Sequence, residues 1–163
     1  MTRLGVYTGT FDPITLGHLN IIERSRSIVD ELVVGIGMNF TKSPMFSLEE
    51  RISLVEQSVQ DFGFVQVRQY DGLTVDFVRS INARIMVRGI RPWSAEFEGE
   101  MKMATANRQL AEDVETVFLI SEQHLWHVSS SLVREVALHS DEATLCQFVP
   151  PSVAQAVMAK VQS

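Results

Sequence analysis

One cysteine, Cys146, stands among 163 residues, so an intramolecular disulfide is impossible and a cysteine-rich metal site is excluded. Positive charge is also scarce: 14 Lys and Arg against 20 Asp and Glu leave a formal net charge of −6. A broad nucleic-acid surface needs a basic face, so any phosphate this chain handles must be met by a local cluster of donors. No apolar run approaches the roughly 18 residues that span a bilayer, and Met1-Thr2-Arg3-Leu4-Gly5 carries no charged-then-apolar leader. The expectation is a soluble, cytoplasmic protein without membrane or nucleic-acid partners. Pro/Gly/Ser linkers, low-complexity tracts and internal repeats are missing as well, so residues 1–163 are expected to form a single domain. Three phosphate and metal signatures are absent too: there is no G-x-x-x-x-G-K-[ST] loop and no H-E-x-x-H, and Gly35-Ile36-Gly37 is followed by Phe40 rather than a third glycine.

What is present is a folded-domain balance, 45% hydrophobic against 21% charged residues, arranged in alternation. Leu4–Thr8, Leu32–Ile36, Phe64–Val67, Ala83–Val87 and Thr116–Ile120 read as short β-prone runs. Between and after them, helical patterns cover 17–29, the segment behind Ser47, 73–83, about 95–111, Ser129–Leu138 and 151–161. Ser47-Leu48-Glu49-Glu50 is a capping box, because the serine oxygen can accept an orphan amide while Glu50 reaches back. The helix after it places Leu48, Ile52, Val55 and Val59 on one stripe. Strand and helix in this alternation predict an α/β protein with five parallel strands and helices on both faces. In such sheets ligands bind beyond the carboxyl ends of the strands, and there the chemistry-bearing residues gather. Gly9-Thr10-Phe11-Asp12-Pro13 and Gly17-His18 follow the first strand, and Lys42 lies in the loop after the second. Arg88-Gly89-Ile90-Arg91 follows the fourth, and Ser129-Ser130-Ser131 comes after the fifth.

Gly9 at a strand end lets the backbone approach a ligand, Thr10 adds a hydroxyl, and Gly17-His18 opens a helix whose free amides favour an anion. The alternative is that the glycines are turn residues and His18 lies on the surface. Guanidinium forks at Arg88 and Arg91 fit phosphate oxygens; alternatively, both are solvated and paired with Glu96 or Glu98. Three serines at a helix start offer hydroxyls and amides to an anion, more than one N-cap needs. None of them has an obvious histidine–aspartate partner that would make it a nucleophile. His124 and His127 read as loop residues rather than metal ligands, and Cys146 as packing.

These segments resemble one family closely. Thr8 to Pro13, Thr15-Leu16-Gly17-His18, Pro44 to Arg51, Arg88 to Arg91, Phe97 to Met101 and Val128 to Leu132 are similar to the bacterial phosphopantetheine adenylyltransferase family, in the same order and over nearly the whole chain. The resemblance implies a Rossmann-like sheet and a homohexamer. It also implies transfer of AMP from ATP to 4′-phosphopantetheine with Mg²⁺, giving dephospho-coenzyme A and pyrophosphate without a covalent enzyme intermediate. Carried over residue by residue, Thr10, Lys42 and Arg88 would hold the acceptor and its phosphate, and Thr74 would meet the pantetheine arm. Thr10, Phe11, His18, Gly89, Ile90, Arg91, Glu100 and the segment Leu125, Trp126, His127, Val128, Ser129, Ser130, Ser131 would line the ATP site. His18 would stabilise charge on the α-phosphate, and the metal would be carried by ATP rather than by protein side chains. The chain departs from the family by one extra residue in Pro92–Ala95 and by Gly99 in place of tyrosine, so Glu98 competes with Glu100. Gln123 to His127 lacks the family's aromatic pattern, so a different packing of adenine is expected. Competing functions are transfer to nicotinamide mononucleotide or an alcohol phosphate, and nucleotide binding without catalysis. A fragment of a tRNA synthetase is disfavoured by the lack of a basic RNA-binding extension.

Overall fold

In the computed structural model, which describes residues 2–38 and 43–163, the five β-prone runs become β1 (Leu4–Gly9), β2 (Glu31–Gly37), β3 (Val65–Tyr70), β4 (Ile85–Ile90) and β5 (Glu115–Ile120). The helices are α1 (Leu16–Ser25), α2 (Leu48–Val59), α3 (Thr74–Ser80), α4 (Phe97–Leu110), α5 (Ser130–Ala137), α6 (Glu142–Leu145) and α7 (Pro151–Gln162), with a 3₁₀ turn at Gln123–Leu125. All strand pairs are parallel, in the order β3-β2-β1-β4-β5.

Alternation along each strand splits the core in two. Tyr7, Leu32, Val34, Ile36 and Val87 meet Ile21 and Ile22 of α1, Val55 of α2, Val133 of α5 and Val153 and Val157 of α7. Val6, Val33 and Met86 face the other way, against Val75 and Val78 of α3 and Ala111 after α4. The chain therefore winds outward from β1 in both directions, through α1 to β2 on one side and through α3 to β4 on the other. The strand order reverses between β1 and β4, and their carboxyl ends splay there into a crevice.

The expected Ala83–Val87 strand lies later, at Ile85–Ile90. Helix α3 closes through Asn82, whose φ is 58°, and the amide of Ala83 donates to the carbonyl of Val78. Strand β4 then pairs with β1 only over Ile85–Val87 but with β5 through Ile90. Arg88, Gly89 and Ile90 are thus part of the fourth strand rather than residues that follow it. Strand β3 likewise runs to Tyr70, and α1 stops at Ser25, whose carbonyl accepts the amides of Ile28 and Val29 in the turn that follows. Among the described residues no helix is long and apolar enough to cross a membrane.

Candidate active site

The turn after β1 delivers His18. Thr15 is the N-cap of α1 and accepts the amide of His18 at 3.3 Å, while the amide of Thr15 donates to His18 Nδ1 at 3.0 Å. This is a capping box with an imidazole in place of the usual carboxamide or carboxylate. Because Nδ1 is the acceptor, the proton of the neutral ring sits on Nε2. Burial, with Arg91 and Arg88 adding repulsion, lowers the His18 pKa to about 4, so the ring is a neutral N–H donor at pH 7. Phe11, with φ of 49° and 2% exposed, stands edge-on to it with ring centroids 5.0 Å apart.

Strand β4 delivers Arg88. Its Nη1 donates to the carbonyl of Thr8 at 2.7 Å, and Nε and Nη2 form a fork with Glu100 of α4 at 2.7 and 2.5 Å. Burial opposes the Arg88 charge, but hydrogen bonding and charge from Glu100 outweigh it and raise the pKa. Burial also pushes the Tyr7 phenol well above its ordinary value. Glu98, the rival carboxylate, points to solvent and pairs with Lys102. Arg91 pairs with Glu96, as the alternative reading held, and its Nη1 also reaches the carbonyl of Trp126 at 3.4 Å. Gly89 permits the close passage of α1 over β4, for a Cβ there would lie 2.7 Å from Ile21 Cγ1.

Two cavities open at this crevice and share one wall made of Thr8, Gly9, Thr10, Arg88 and Glu100. The first, about 470 Å³, extends over Gly37, Met38, Tyr70, Thr74 and Met103. The second, about 320 Å³, holds Phe11, His18, Gly89, Ile90, Arg91, Val128, Ser129, Ser130 and Ser131. Thr74 is hydrogen-bonded to the Tyr70 hydroxyl at 3.1 Å in the first cavity. Three of the expected residues do not line either cavity: Leu125 is buried, Trp126 donates its Nε1–H to the carbonyl of Ser121, and His127 is exposed against Phe148. Lys42 lies outside the described residues.

The serine cluster differs in detail from its sequence reading. Ser129 Oγ caps α5 by accepting the amide of Leu132, Ser130 Oγ donates to the carbonyl of Pro13, and Ser131 Oγ accepts from Arg134. Only Ser130 spends its hydroxyl proton on the protein; Ser129 and Ser131 accept in these bonds and keep their O–H groups, with the amides of the first turn, for an anion.

Three residues that had no role of their own in the sequence reading complete the construction. Asp12, 6% exposed, accepts the amides of Met45 and Phe46 at 2.8 and 2.9 Å, tying the segment after β2 to the turn after β1. Its signal was a carboxylate in a Gly- and Pro-bounded turn, a position rich in backbone-binding side chains. Arg51, 4% exposed, lies under the same turn; it occupies the apolar stripe of α2, where a charge is out of pattern. Ser121, at the end of β5, lines the second cavity with a buried hydroxyl that has no partner.

A parallel sheet that places two cavities at its switch point, with helix starts and arginines facing them, is the frame of a nucleotide-handling protein. Residues 6–136 match the model of the cytidylyltransferase-like family. Proteins named phosphopantetheine adenylyltransferase are 50% identical in Rhodopirellula baltica (97% of this chain, 88% of the relative), 48% in Rhizorhabdus wittichii (98% and 95%) and 43% in Caulobacter vibrioides (98% and 98%). The chain belongs to the phosphopantetheine adenylyltransferase family of cytidylyltransferase-like proteins. Solved structures share its fold: a candidate nicotinate-nucleotide adenylyltransferase from Vibrio parahaemolyticus superposes with a TM-score of 0.70 at 17% identity, covering 100% of this chain and 98% of that one. A bifunctional NMN adenylyltransferase/ADP ribose pyrophosphatase from Francisella tularensis gives 0.69 at 15% identity, covering 99% and 52%.

Proposed function

We propose that this chain transfers the adenylyl group of ATP to 4′-phosphopantetheine, with the acceptor in the first cavity and the nucleotide in the second. The observation that carries the arrangement is the shared wall of Thr8, Gly9, Thr10, Arg88 and Glu100, which brings two separate sites to one boundary. Two bound reactants in such sites react as one body, which supplies much of the rate. An oxygen of the acceptor's phosphate forms a bond to the α-phosphorus of ATP. The bond from that phosphorus to the oxygen bridging the β-phosphate breaks, and its electron pair leaves on pyrophosphate. The protein supplies no nucleophile.

His18, neutral and carrying its proton on Nε2, donates to an oxygen of the α-phosphate as charge builds there. Arg91 and the first amides of α5, at Ser130 and Ser131, face the β- and γ-phosphates, with Arg91 exchanging Glu96 for phosphate oxygens. Thr10, Arg88 and Lys42 receive the acceptor's phosphate, and Thr74 with Tyr70 flanks the pantetheine arm. Glu100 holds Arg88 in position at the boundary and lies beside the nucleotide. The segment Leu125–Val128 forms the outer support of the base side. Mg²⁺, carried by ATP rather than by protein side chains, would neutralise charge on the pyrophosphate leaving group. Homohexameric assembly and a cytoplasmic location belong to the same proposal and rest on the family resemblance.

The test is one assay with ATP and either 4′-phosphopantetheine or nicotinamide mononucleotide, followed by mass detection of product. Dephospho-coenzyme A from the first acceptor and nothing from the second is expected; the reverse outcome overturns the assignment.

A further inference from the structure

Arg51 is buried to 4% exposure on a face of α2 that is otherwise apolar. Its Nη1 donates to the carbonyl of Thr10 at 2.7 Å and to that of Gly37 at 3.1 Å, and its Nε has no partner. No carboxylate forms an ion pair with it among the described residues. The five residues outside the description, Met1, Asn39, Phe40, Thr41 and Lys42, include no acid. An enclosed guanidinium without a counter-ion is unfavourable, because buried charges are ordinarily paired. Arg88 and Arg91 at the same crevice have their carboxylates in Glu100 and Glu96.

The two carbonyls that Arg51 holds are informative. Thr10 follows β1 and lines both cavities; Gly37 ends β2 and lines the first. We propose that Arg51 is a positioning residue of the acceptor subsite: it pins the turn after β1 to the exit of β2, and its unpaired charge is matched by the phosphate of the incoming acceptor. It touches no reacting atom and acts through Thr10 and through its field, which a partly enclosed site screens less than bulk water does. The inference rests on the reading of the first cavity as the phosphopantetheine site.

The experiment compares binding of 4′-phosphopantetheine with that of pantetheine, which lacks the phosphate, by calorimetry on the full chain. Arg51→Gln keeps an N–H donor for the carbonyls and removes the charge; Arg51→Lys keeps the charge and loses the two-carbonyl bridge. The Gln variant is expected to bind phosphopantetheine about tenfold more weakly and pantetheine about as well as the parent, with the KM for ATP unchanged. The Lys variant is expected to recover the preference for the phosphorylated ligand. Equal losses for both ligands, no loss at all, or a Lys variant as unselective as the Gln variant would overturn the proposal. If circular dichroism shows that Arg51→Gln does not fold, Arg51→Lys decides: a parental ratio between the two ligands supports the charge, and a collapsed ratio refutes it. Failure of the parent chain to release pyrophosphate from ATP and phosphopantetheine would instead strike the functional reading itself.

Discussion

Replacing His18 by alanine removes a neutral imidazole donor that lines the nucleotide cavity while leaving Arg91 and the α5 amides in place. Loss of a transition-state donor of this kind costs about 3–4 kcal/mol, or about two to three orders of magnitude in kcat. ATP binding, carried by the remaining groups, should change little. Steady-state pyrophosphate release gives kcat, and calorimetry gives ATP affinity. Near-normal turnover, or loss of ATP binding in step with turnover, would refute the role. The same residue predicts a pH signature. Its folded pKa of about 4 lies below the ordinary 6.5, so the unfolded chain binds the proton first as pH falls. The contribution to stability is therefore fully present above about pH 6.5 and is lost as pH drops towards about 4. The loss amounts to about 1 kcal/mol at pH 5.5 and about 3 kcal/mol once both states are protonated. Urea denaturation of parent and His18→Ala chains at about pH 7.5 and about pH 5.5 measures the difference. A parent that is no more acid-sensitive than the variant would show that the ring is not held neutral.

Gly89→Ala sets a methyl 2.7 Å from Ile21 Cγ1 and should cost about 1–3 kcal/mol, seen as a Tm lower by several degrees. Asp12→Ala leaves the amides of Met45 and Phe46 without their acceptor and should lower stability by about 2–4 kcal/mol in a urea titration. Ser121→Ala removes a buried hydroxyl that has no partner, so thermal melting should show Tm unchanged or slightly raised. A loss above about 1 kcal/mol would mean that the hydroxyl is bonded in solution.

Local signals in the chain are legible because they act within a few residues. The Ser47–Glu50 box caps α2 with both of its bonds present, and Thr15 to His18 starts a helix as Gly17-His18 suggested. The parallel sheet followed from alternation alone. Boundaries set by pairing were less legible: β4 ends at Ile90 because β5 continues beside it, and nothing local to Arg88-Gly89-Ile90 announces that neighbour. The same limit applies to partners. Glu98 and Glu100 are two residues apart on one helix, and a turn of about 200° separates a solvent-facing ion pair from the Arg88 fork. The Ser130 hydroxyl donates to the carbonyl of Pro13, 117 positions away, which nothing local to the three serines announces.

The amino-acid order by itself determined the α/β class, the helix starts and the set of segments that carry phosphate chemistry, since periodicity, capping and turn residues are short-range properties. Only the tertiary structure decided that Arg88 faces Glu100, that Asp12 and Arg51 brace the turn after β1, and that two cavities share a wall. Those relations join residues 12 to 80 positions apart; they depend on which strands lie side by side, and that is settled when the whole chain buries its apolar faces together.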